Sequence, residues 1–177
     1  MKKLNRKSRL LAAAALCVLV AGTAGAFARQ QLAARRAAAP GRPEIRVALA
    51  GAVARADERV PLEKAGIVRP GEVLDWTITS ANEGDGAARE YRTVGQIPQG
   101  TSLVAGSATA EYDAAVTYSI DNGKSFSAQP TVEERQPDGT IRRVAAPVSM
   151  YTQVRYEWAE PLQAGRTFAA SYKVRVK

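Results

Sequence analysis

Pro70-Gly-Glu-Val-Leu-Asp-Trp-Thr-Ile-Thr-Ser-Ala-Asn-Glu-Gly-Asp-Gly86 decides the fold. Pro70-Gly71 is a type II turn signature, because proline fixes φ at the first central position and glycine accepts positive φ at the second. From Val73 to Ala81 apolar and polar residues alternate. Leu74, Trp76 and Ile78 share one face, and Asp75, Thr77 and Thr79 share the other. Strict alternation of this kind describes a strand with one buried and one wet face, as in an antiparallel sheet. Asn82-Glu-Gly-Asp-Gly86 then turns the chain. Asparagine bonds its own backbone two residues on, and glycines supply the φ values that other residues avoid. Glu90 to Ile97 returns as a strand and stops at Pro98 and Gly100.

The rest of the chain from Glu44 repeats this grammar. Glu44–Ala50 alternates, with Ile45, Val47 and Leu49 facing away from Arg46. A short strand is expected around Arg59-Val-Pro-Leu62. Val116–Ile120, Asp121-Asn-Gly-Lys124 and Ser125–Ala128 form a hairpin. A three-residue loop, Asp121 to Gly123, puts Phe126 opposite Tyr118 and Ala128 opposite Val116. A two-residue Asn-Gly loop instead puts Phe126 opposite Ser119. Opposed residues share a face, so the apolar pattern favours the longer loop. A second hairpin, Thr131–Gln136 and Ile141–Val144, turns at Asp138-Gly139 and sets Glu134 across from Arg143. Val154, Tyr156 and Trp158 share a face. So do Phe168, Ala170, Tyr172, Val174 and Val176 in the last strand. The expected fold is all-β, an antiparallel sandwich of immunoglobulin type with seven to nine strands over residues 44–177. Trp76, Ile78, Tyr156, Trp158, Phe168 and Tyr172 are its expected core.

The first 28 residues differ. Five basic residues lie between Lys2 and Arg9, Leu10–Val20 is apolar, and Ala24-Gly-Ala26 and Ala26-Phe-Ala28 fit a small-residue cleavage site. Residues 1–28 therefore read as a secretory signal peptide. The competing reading is an uncleaved membrane anchor, since Leu10–Ala28 carries no charge over 19 residues. Residues 29–43 are rich in alanine and arginine, end in Pro40-Gly-Arg-Pro43, and read as a linker. An exported protein of the periplasm, cell envelope or extracellular space is the expectation.

Composition removes several function classes. The formal charge of +8 arises from the first 42 residues, which hold nine basic residues and no acid. From Glu44 onward 16 basic residues face 17 acidic ones, so the body offers no basic footprint for nucleic acid. The chain has no histidine, and its one cysteine, Cys17, lies in the leader. His-based acid–base catalysis, Ser-His-Asp triads, cysteine nucleophiles and disulfides are thereby excluded from a mature chain. No motif places a Ser–Lys dyad. No catalytic, cofactor or metal site is expected, and the chain reads as a non-enzyme. Glu83, Asp85, Asp113 and Asp121 are loop acids of a type that binds calcium, but their spacing matches no EF-hand. Tyr91, Tyr112, Tyr118 and Tyr151 are the aromatics available for a sugar platform. Asn82 and Gly84 are assigned to the turn they build.

Three runs together carry a family resemblance: Val68 to Gly86, Gln96-Ile-Pro-Gln-Gly-Thr-Ser-Leu-Val104, and Pro161-Leu-Gln-Ala-Gly165 followed by a terminal alternating strand. In this order the chain resembles, over Val60–Lys177, the bacterial surface repeat domain called domain of unknown function 11. The resemblance implies an immunoglobulin-like sandwich in secreted or envelope proteins, and no catalysis. That family often carries an acid three positions before the Ile/Leu-Pro turn, where this chain has Gly95. It also often repeats in tandem, whereas this chain carries one copy. The functional expectation is a structural or interaction module whose partner is another envelope or surface protein. The alternative is a calcium- or glycan-binding accessory protein.

Overall fold

The computed structural model describes residues 41–55 and 58–177. The leader and most of the linker, residues 1–40, lie outside it. Two antiparallel sheets pack face to face around one core, and no α-helix occurs among the described residues. None of the described helical turns is long or apolar enough to cross a membrane.

The large sheet contains β1 (Ile45–Arg55), β2 (Glu58–Pro61), β3 (Val73–Asn82), β5 (Thr101–Leu103), β6 (Thr109–Ala110) and β11 (Thr167–Val176). Its order is β2-β1-β3-β11-β5, with β6 also on β11. The small sheet is β4 (Arg92–Gln96), β10 (Gln153–Trp158) and β7 (Ala114–Ser119), in that order. Strands β8 (Thr131–Arg135) and β9 (Ile141–Ala145) form a hairpin that belongs to neither sheet.

The alternation in the central strands is what builds the core. Trp76 stands opposite Tyr172, Ile78 opposite Ala170 and Leu74 opposite Val174. From the small sheet, Val154, Tyr156 and Trp158 meet them, all buried. Trp158 stacks on Phe168 at 5.0 Å and on Tyr91 at 5.7 Å. Two buried phenols tie the layers together. Tyr156 donates to the Ser171 carbonyl (2.7 Å), and Tyr172 donates to the Gln96 carbonyl (2.6 Å). Each core side chain of this size contributes roughly 1.5–3 kcal/mol on burial. Trp76 is the exception among the expected core residues, being only half-buried.

The turns follow their sequence signals. Gly71 has φ of 87°, and the Glu72 amide donates to the Arg69 carbonyl at 3.2 Å across Pro70-Gly71. At the other end of β3, Asn82 is 1% exposed and fully engaged. Its Oδ1 accepts from the Glu44 and Gly84 amides, both at 3.1 Å. Its Nδ2 donates to the carbonyls of Gly86 (2.7 Å) and Leu162 (2.9 Å). One side chain thus clamps the entry to β1, the β3 turn and the loop before β11. A Cβ on Gly84 would collide with the backbone of Arg42 and Glu44, which is why glycine stands there.

Both hairpin registers differ from expectation by one residue. Tyr118 pairs with Ser127, not with Phe126. Asn122 and Gly123 both take positive φ (57° and 87°), the geometry of a two-residue turn. The slip carries Phe126 to the outer face, where the Arg155 guanidinium lies 4.4 Å from its ring centre. An alternative apolar contact on the wet side defeated the pattern argument. In the β8–β9 hairpin the loop is longer than expected. The Gln136 amide donates to the Thr140 carbonyl around Pro137-Asp138-Gly139, with Gly139 at φ of 85°. Glu133, rather than Glu134, therefore faces Arg143, and Glu134 faces Arg142.

Asp75 also departs from its expected wet face. It is 4% exposed, paired with Arg59 and with Lys173 Nζ at 3.7 Å. Its neighbour on β1 is Ala52, so Arg59 reaches over a small side chain from β2, while Lys173 stands directly opposite on β11.

Candidate functional site

The large sheet is wider than the small sheet that covers it. Strand β10 lies over β11 through Tyr156, and β4 lies over β11 through Gly95, which packs on the Tyr172 ring. Nothing in the small sheet covers the first half of β1. Val47 and Leu49 point the same way as the buried Val53, yet they are 54% and 59% exposed. With Trp76, Ile78, Tyr172, Gly95 and Pro98 they line an apolar groove of about 260 Å³. Leu62, in a 3-10 turn, closes on Gly51 and Trp76 at one end.

One wall of the groove is unpaired backbone. Among the described residues strand β4 has β10 as its only neighbour. The Ile97 amide donates to Thr152 and the Trp158 amide to Tyr91, so by antiparallel alternation Thr93 and Gly95 bond toward β10. The amides and carbonyls of Arg92 and Val94 then point to the open side. The Gln96 carbonyl points the same way and is taken by Tyr172. Burial pushes the Tyr172 phenol up to about 12, so it remains a neutral donor there. Among the described residues the first half of β1 has no partner on its other edge, because β2 pairs only with Ala52–Arg55. Sequence alternation assigned the faces of β1 correctly. That a whole flank stays uncovered depends on which strands stack, and no local signal carries it.

A second feature is the ionic patch of Arg59, Asp75 and Lys173 beside the hydroxyls of Thr77, Thr109 and Ser171. Thr109 and Ser171 share a 2.9 Å hydrogen bond. Two cations there share one buried carboxylate.

The four loop acids are not brought together. Glu83 pairs with Arg46 at 3.6 Å, and Asp85 Oδ1 accepts the Arg42 amide at 2.6 Å. Asp113 immediately precedes β7, and its carbonyl accepts the Ala159 amide. Asp121 organises its own turn. It accepts from the Ser125 amide (3.0 Å), the Ser125 hydroxyl (2.5 Å) and the Ser119 hydroxyl (2.7 Å). Among the described residues no three carboxylates gather to hold a metal ion. The tyrosines separate as well: Tyr118 packs on Tyr151 (4.9 Å), while Tyr91 and Tyr112 pack on Phe168.

Those donors hold the Asp121 carboxyl down at about 2, the Ser125 hydroxyl first among them. A folded-state pKa below the unfolded value gives stability that is present above about pH 4 and lost as pH falls through 2. Asp121→Asn is expected to flatten the acid limb of the stability curve in that window, measured by urea melts from pH 5 to pH 2. An unchanged acid limb in the variant would contradict the role given to this carboxylate.

Comparison with known proteins returned no match to a family model, to a curated protein or to a solved structure.

Proposed function

We propose that this chain is a non-catalytic interaction module of the cell envelope or secreted space. Its two-sheet body is read as an immunoglobulin-like sandwich similar to the domain of unknown function 11. The leader-like residues 1–28 support export, and the absence of histidine throughout and of cysteine from Val18 onward supports a non-catalytic role. The observation that carries the reading is the open flank between β1 and β4. Soluble sandwiches cover, charge or shorten such edges, and an exposed apolar one marks a place where another chain binds.

The test is native pull-down of the tagged chain from the envelope fraction, with mass spectrometry. The expected result is a discrete exported or surface protein enriched in stoichiometric yield. Turnover of a substrate that disappears when one groove residue is changed would overturn the reading.

A further inference from the structure

Resting on that reading, we infer that the open flank is a strand-acceptor groove. It takes an extended segment of a partner protein, about five to seven residues long, as a fourth strand of the small sheet. That segment pairs with the free edge of β4 and lowers alternate apolar side chains onto Val47, Leu49 and Trp76.

Geometry supports each part of this assignment. Facing sheets stand about 10 Å apart and neighbouring strands about 4.8 Å apart. Since β4 lies over β11, the position next to β4 lies over β3, with Trp76 and Ile78 beneath it and the uncovered half of β1 alongside. Main-chain hydrogen bonds are available from Arg92 and Val94, and the floor supplies apolar contact for every second residue.

The occupant's charge is also indicated. Arg92 is exposed at the start of β4 and makes no ion pair with any described residue. Glu157, directly across from it, is engaged by Arg155 at 3.8 Å. An acid on the outward face of the incoming segment completes this pair. A second copy of the chain does not fit, because β1 projects beyond β4. Two-fold pairing of β4 with β4 would drive the two β1 strands into the same space.

The experiment uses the full chain and synthetic nine-residue peptides in which valine and threonine alternate. One set carries aspartate at both ends, another carries lysine, and a third has the same composition in scrambled order. The expected result is saturable binding of the aspartate peptide with a change in Trp76 fluorescence that Trp76→Phe removes. Binding falls at least tenfold for the lysine and scrambled peptides.

Val94→Pro removes an amide that the fold does not use, and Leu49→Lys changes an exposed side chain. Both variants keep the wild-type circular dichroism and lose at least tenfold in affinity. Three outcomes overturn the inference: no binding of the aspartate peptide at roughly millimolar concentration, equal binding by the two variants, or a dimer in sedimentation that Leu49→Lys dissolves. If a pulled-down partner stays bound to both variants, the module reading stands and the groove assignment fails. If peptides bind as expected and no partner is recovered, the groove stands and the module reading fails.

Discussion

Replacing Asn82 by alanine lowers the unfolding free energy by roughly 3–4 kcal/mol. The side chain makes four hydrogen bonds from a fully buried position, to three separate segments. Each such bond contributes roughly 0.5–1.5 kcal/mol net, and a buried group left without a partner costs roughly 1–3 kcal/mol. The Leu162 carbonyl is the group with least access to replacement water. Domains of this size are stable by only about 5–15 kcal/mol, so the loss is a large share of the total. Urea melts with an unchanged slope measure it, and a loss below about 1 kcal/mol would contradict the clamp.

Asn82→Asp separates the two halves of the clamp. The carboxylate still accepts from the Glu44 and Gly84 amides, but it confronts the Gly86 and Leu162 carbonyls without donors. Burial and those carbonyls raise its folded pKa above the unfolded value of about 4. The variant is therefore least unstable below pH 4 and loses further stability as pH rises through neutrality. At pH 7 it is expected to be less stable than Asn82→Ala.

Gly95→Asp is expected to abolish folding at 25 °C. An ideal Cβ at this position lies 2.9 Å from Tyr172 Cζ and 3.1 Å from Cδ1. The ring cannot move aside: it is buried, and its hydroxyl is held by the Gln96 carbonyl one residue away. Even Gly95→Ala costs roughly 1–3 kcal/mol from overpacking between the sheets. A carboxylate adds the cost of a charge without a partner. Circular dichroism and thermal melting of both variants provide the check. A Gly95→Asp chain melting near wild type would show that the sheets separate more easily here than the contact allows. The position is the one where the resembling family often carries an acid.

Strand identity was legible because alternation is local. Apart from the half-buried Trp76 and Val176, every second residue of β3, β10 and β11 goes to the core as the pattern says, and the turn residues mark where each strand stops. Register was harder. The Asn122-Gly123 and Asp138-Gly139 turns look alike in sequence. One takes the register of a two-residue loop and the other is a three-residue loop, because Ser119, Asp121 and Pro137 redirect the hydrogen bonds nearby. Asp75 reads as solvated because alternation assigns its face, and alternation is blind to long cations arriving from β2 and β11. The candidate groove was the least legible part. Val47 and Leu49 have the pattern of core residues, and only the relative width of the two sheets exposes them.

Amide hydrogen exchange along β4 tests the central claim most directly. If the flank is open, the amides of Thr93 and Gly95 are protected by β10, while those of Arg92 and Val94 exchange at near-intrinsic rates. Uniform protection across Arg92 to Gly95 would mean that a strand already occupies the flank, and would contradict the account.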